Sequence, residues 1–129
     1  MTPDDFEETH VDGAQRYGMV IGLRPERREE YLRLHSAVWP GVERAMLDAG
    51  LRNFTIFLHG DLLFGYYEYT GDDHAAAQAR IAEDPETRRW WTFTDPCQEP
   101  LAEPGSGSRW APMREVWHLE DPDARSSAE

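Results

Sequence analysis

The chain of 129 residues contains no lysine; its 13 basic side chains are all arginine. This excludes Schiff-base chemistry and a P-loop, both of which depend on a lysine amine. It contains one cysteine, Cys97. An internal disulfide and a cysteine-based zinc site are therefore excluded, and a reducing compartment, the cytoplasm, is expected. No apolar run approaches the roughly 18 residues of a membrane span. The opening MTPDDFEETHVDG lacks the apolar stretch of a secretory leader. Basic residues are outnumbered, 13 against 25 acidic, for a net charge of −12. Neither nucleic acid nor an anionic membrane is an expected partner, because each needs a basic patch. His10, His59, His74 and His118 form no ligand spacing such as HxxxH, so no metal is expected.

What is present suits one compact domain. The sequence is 40% hydrophobic and 12% aromatic, with five Trp, enough for a core and too much for global disorder. The charge is concentrated at the ends: residues 1–14 carry five acids and no base, and residues 120–129 carry four acids and one Arg. Both segments are expected to be solvated, disordered tails. They flank a mildly acidic domain over residues 15–119.

Residues 15–24, QRYGMVIGLR, read as a first strand. Pro25 and the acidic stretch after it open a helix from about Glu26, carrying Tyr31, Leu34, His35, Val38 and Trp39. Pro40 should kink or restart that helix, and Gly50 should end it. LRNFTIFLH and LLFGYYEY around Gly60-Asp61 read as a hairpin. Asp72 and Asp73 precede an alanine-rich helix, and Asp84-Pro85 separates it from a second helical stretch to about residue 97. Residues 101–112 carry loop chemistry, and MREVWHLE (113–120) alternates as a last strand. The order is β-α-β-β-α-β, an α+β ferredoxin-like arrangement with an antiparallel sheet and helices on one face. Stretches of the hairpin are apolar on both faces, so a second subunit is expected on the uncovered face.

Tyr31 and His35 lie four residues apart on the predicted helix and share a face, with Trp39 one turn further. A histidine is the natural general acid or base near neutral pH. The spacing by itself also suits an ordinary surface histidine. Trp90 and Trp91 are consecutive and point about 100° apart on a helix. One can enter the core while the other lines a cavity, and indoles stack well on the C–H faces of sugars. Cys97 carries no nucleophile signature and reads as structural, and Arg88-Arg89 as a solvated helix face.

EEYLRLHSAVWPGVE (29–43) closely resembles the L-rhamnose mutarotase family, which has Tyr-x-x-x-His followed by Trp-Pro. Gly50-Leu-Arg-Asn53-Phe54, LLFGYYEY (62–69), RRWWTFTDP (88–96) and REVWHLE (114–120) follow in the family's order. The resemblance covers about residues 16–119. It implies a dimeric α/β-barrel type assembly that interconverts the α and β anomers of L-rhamnose, or of a related deoxy sugar, without a cofactor. It also implies His35 as proton donor, Tyr31 as a sugar contact on the same helix, and Trp90 and Trp91 as the tandem Trp contact. Where the family commonly has a second sugar-contacting Tyr, this chain has Phe54, which keeps a pocket-lining ring and loses a hydroxyl. In the implied chemistry, protonated His35 gives its proton to the ring oxygen. The acceptor for the C1 hydroxyl proton stays open between bound water and a carboxylate such as Glu115. Two other readings fit the same topology: a cofactor-free monooxygenase or cyclase, and a non-catalytic sugar-binding module.

Overall fold

The computed structural model describes residues 15–101 and 109–122; residues 1–14, 102–108 and 123–129 lie outside this description. The acidic segment 1–14 and most of 120–129, expected as tails, fall among those outside. In chain order the elements are β1 (Gln15–Leu23), α1 (Arg28–His35), α2 (Pro40–Asp48), β2 (Leu51–His59), β3 (Leu62–Tyr69), α3 (His74–Glu83), α4 (Pro85–Thr94), β4 (Gln98–Glu99) and β5 (Ala111–Met113). The strands form one antiparallel sheet in the order β2-β3-β1-β4, and β5 also pairs with β1. This is the expected α+β, ferredoxin-like order.

Period-two alternation sets the two sheet faces. Tyr17, Met19, Ile21 and Leu23 of β1 and Leu63, Tyr67 and Tyr69 of β3 turn to the helices and are buried. They form two clusters. One gathers Tyr17, Met19, Tyr67 and Tyr69 with Leu51, Ala49 and the α3 residues Ala77 and Ile81. The other joins Ile21, Leu23 and Leu63 to Tyr31 of α1 and to Cys97. Cys97 is fully buried and unpaired, the structural role expected for it.

Three of the four helices start where a local rule requires. Proline disfavours α geometry in the residue before it, and Trp39 is extended (ψ 134°) with Pro40 opening α2. The helix therefore restarts at Pro40 rather than kinking. Asp73 caps α3 by accepting from the Ala76 amide at 3.0 Å. Asp84 caps α4 by accepting from the Thr87 amide and hydroxyl at 2.8 and 2.9 Å.

A bulge in β2 sets which side chains reach the helix side. Arg52 lies opposite Glu68 and Thr55 opposite Tyr66, so Asn53 and Phe54 share one partner position. Asn53 takes φ +55°, a conformation that Asn tolerates better than most residues. The extra residue shifts the alternation, so that Phe54 stacks on Tyr67 (5.4 Å between centroids). Ile56 and Leu58 then pack against the Ile21 cluster, while Phe57 stays 62% exposed on the other face.

The fourth strand position differs from the expected 113–120. Two short pieces fill it: Gln98–Glu99 beside Leu23 and Gly22, and Ala111–Met113 beside Val20 to Gly18. Residues 100–110 intervene. Continuing the second register brings Glu115 to Arg16, and the two form an ion pair at 2.9 Å. The described part of β1 ends at Gln15, so residues 116–120 run past it without a ladder. Their alternation is real, but a strand also needs a neighbour to bond to. Val116, Trp117 and Leu119 are left 92%, 76% and 72% exposed.

Candidate active site

The helical turn of α1 places Tyr31 and His35 face to face, with ring centroids 4.2 Å apart at 28°. His35 Nδ1 lies 3.0 Å from the Tyr31 carbonyl oxygen. A carbonyl only accepts, so Nδ1 carries the proton and Nε2 is left for another partner. Burial pushes the His35 pKa below 6.5, outweighing the opposing effect of the bond to Tyr31. At neutral pH the ring is therefore neutral, with a lone pair on Nε2. Burial likewise pushes Tyr31 up to about 12, so its hydroxyl stays protonated.

Trp90 of α4 meets His35 edge to face at 5.3 Å and Trp39 at 5.2 Å. Trp39 also meets Phe93 at 5.7 Å, and the Arg89 guanidinium lies 5.8 Å from the Trp39 ring. The helices can come this close because Gly41, near the start of α2, donates its amide to Glu86 of α4 at 3.1 Å. Any Cβ at residue 41 would collide with that carboxylate. The anion also sits favourably at a helix N-terminus.

Tyr31 and Trp90 are only 2% and 5% exposed, while His35 is half-buried. Trp91 points away from the cluster and is 37% exposed, so the tandem pair divides between core and surface as the 100° step requires. Phe54 lies in the other cluster, against Tyr67. Glu115 is engaged with Arg16. Arg16 alternates with inward-facing Tyr17, which puts Glu115 on the open face of the sheet, opposite His35.

Three residues near the site carried no sequence signal. Gln98 is buried and its amide nitrogen donates to the Tyr31 hydroxyl at 3.5 Å. Arg109 pairs with Asp95 at 3.5 Å, donates to the Asp95 carbonyl at 3.0 Å and reaches the Gln98 side-chain oxygen at 3.5 Å. Trp110 packs against both core clusters. Gln98 lies in β4, and Arg109 and Trp110 lie just before β5, in or beside a segment whose composition reads as loop. Among the described residues no group of three or more His, Cys, Asp or Glu is placed to hold a metal ion. The polar hollow lined by Ala45, Asp48, Arg80, Glu83 and Asp84 shares no residue with this cluster.

A sequence profile for L-rhamnose mutarotase matches residues 16–119. The chain belongs to the L-rhamnose mutarotase family. Mutarotases are carbohydrate isomerases. The chain is 30% identical over 107 residues to an L-rhamnose mutarotase of Listeria monocytogenes, covering 81% of this chain and 98% of that one. It is 32% identical over 107 residues to that of Opitutus terrae, with the same coverage. Among solved structures, an L-rhamnose mutarotase from Formosa agariphila superposes with a TM-score of 0.64 at 21% identity, covering 81% of this chain and 98% of that one. Tetracenomycin F2 cyclase from Streptomyces glaucescens superposes at 0.60 with 16% identity, covering 83% and 98%. At such identities the superpositions speak for the fold; the sequence match places the family.

Proposed function

We propose that this protein interconverts the α and β anomers of L-rhamnose or a closely related deoxy sugar, with His35 as its acid–base group. The observation that carries the reading is the tautomer: Nδ1–H is held by the Tyr31 carbonyl at 3.0 Å, so only Nε2 exchanges protons. In the ring-opening step neutral Nε2 takes the proton of the C1 hydroxyl. The O1 lone pair becomes the second C=O bond as the C1–O5 bond breaks, and its electron pair goes to O5. The imidazolium then gives the same proton to O5. O1 and O5 are both bonded to C1, so one nitrogen beside C1 can serve both. His35 is thus base first and proton donor second, and no separate acceptor is needed. After the aldehyde turns about C1–C2, the reverse steps close the ring on the other face.

Tyr31 orients the sugar, and Trp90 supports the imidazole edge-on. Trp91, 37% exposed, and Phe54, stacked on Tyr67, are further sugar contacts in this reading. Phe54 lacks a hydroxyl, so substrate preference can depart from rhamnose. General acid–base catalysis of roughly 10² to 10⁴-fold suffices for a reaction that already proceeds in water, and the steps use neither metal nor cofactor.

We further propose that the active form is a homodimer. Phe57, at 62% exposure, lies on the open sheet face, and Val116, Trp117 and Leu119 project from the stretch that follows β5. A second copy would cover both. The lone cysteine fits a reducing compartment such as the cytoplasm. The test of function is saturation transfer between the two anomeric protons of L-rhamnose and other 6-deoxy sugars; no acceleration of any of them overturns the mutarotase reading.

A further inference from the structure

The site residues leave one hydrogen-bonding question open: which way the buried Tyr31 hydroxyl points its proton. An arginine only donates, so the Gln98 amide oxygen faces Arg109, at 3.5 Å. The amide nitrogen of Gln98 then faces Tyr31, also at 3.5 Å, and donates to the phenolic oxygen. At that length both bonds orient more than they stabilise. Tyr31 consequently accepts from Gln98, and its own O–H proton has no acceptor among the described residues. A buried donor without an acceptor is costly, and an arriving sugar oxygen would satisfy it.

We propose that Gln98 and Arg109 are positioning residues that fix the Tyr31 hydroxyl as a hydrogen-bond donor to the sugar. The inference rests on the sugar site proposed above. Arg109 is itself tied to Asp95. Its guanidinium is held by the Asp95 carboxylate at 3.5 Å and the Asp95 carbonyl at 3.0 Å, at the end of α4. The relay therefore runs from the end of the Trp90 helix, through the broken fourth strand, to the ring stacked on His35.

The test compares anomer exchange of L-rhamnose in wild type, Gln98→Glu, Arg109→Met and Arg109→Lys, each also in a Tyr31→Phe background. Gln98→Glu keeps the shape but offers Tyr31 only an acceptor, which draws the phenolic proton away from the sugar. It should raise KM about tenfold with a smaller change in kcat. Arg109→Met frees the amide to flip and should raise KM about threefold; Arg109 is exposed, so this variant folds even where Gln98→Glu does not. Arg109→Lys, which keeps a donor, should restore most of the loss. In the Tyr31→Phe background none of these changes should alter KM further. Equal effects of Gln98→Glu or Arg109→Met in both backgrounds, or no effect of Arg109→Met on KM, would overturn the positioning role while leaving the mutarotase reading intact. A Tyr31→Phe variant with unchanged KM and kcat would overturn both the relay and the Tyr31 assignment.

Discussion

His35→Asn isolates the chemistry of the imidazole from its place in the fold. The asparagine amide can still donate to the Tyr31 carbonyl, as Nδ1 does at 3.0 Å, but it offers no titrating nitrogen. Acid–base catalysis by one side chain contributes roughly 10² to 10⁴-fold, which corresponds to about 3–5 kcal/mol of barrier at 1.36 kcal/mol per tenfold. The catalysed anomer exchange should fall by that factor. Stability should change by only about 1 kcal/mol, since the ring is half-buried and its hydrogen bond survives. The pH profile gives a second, independent reading. His35 is active as the neutral base, and burial holds its pKa below 6.5. The rate should be flat through neutrality and fall tenfold per unit once the pH drops below that lowered pKa. The His35→Asn profile should be flat across the same range. Saturation-transfer NMR between the anomeric protons measures both quantities. A variant with the wild-type rate, or a wild-type rate that climbs as the pH falls through 6.5, would refute the assignment.

Other perturbations bear on the rest of the structure. Phe54→Tyr restores the hydroxyl common in the family; if the ring lines the pocket, KM for rhamnose should drop severalfold, matching about 1 kcal/mol for one hydrogen bond. An unchanged KM with a lowered melting temperature would remove Phe54 from the pocket. Trp117→Asp, at a position 76% exposed, should convert a dimer to a monomer in light scattering at micromolar concentration, and a monomeric wild type would end the dimer proposal. Asp84→Ala removes the acceptor of two hydrogen bonds at the start of α4 and should cost about 1–2 kcal/mol in chemical denaturation. Gly22→Ala would place a Cβ 2.6 Å from the Glu99 carbonyl oxygen, so it should cost about 1–3 kcal/mol by pushing β4 off the sheet.

Much of the architecture is legible in the sequence because it depends on neighbours along the chain. The inward alternation of β1, the turn at Gly60-Asp61, the Asp caps at residues 73 and 84 and the restart at Pro40 are all decided within a few residues. The one-turn spacing of Tyr31 and His35 belongs to the same class. The last strand departs from its local pattern for the converse reason. MREVWHLE alternates correctly, but the adjoining part of β1 is spent on Ala111–Met113, and local pattern does not show where a neighbouring strand ends. The bulge at Asn53 is equally hidden, since simple alternation would turn Phe54 to the open face.

The sequence by itself determined the helices, the first three strands, the family and the pairing of Tyr31 with His35, because periodicity and capping act over a few residues. Tertiary structure alone decided which Trp meets His35 and which faces solvent, since that depends on how α4 seats against α2 through Gly41 and Glu86. It also decided the polarity of Tyr31. That follows from Gln98 and Arg109, which lie 67 and 78 positions along the chain from Tyr31. A proton's position is set by whichever donor or acceptor the fold brings within reach.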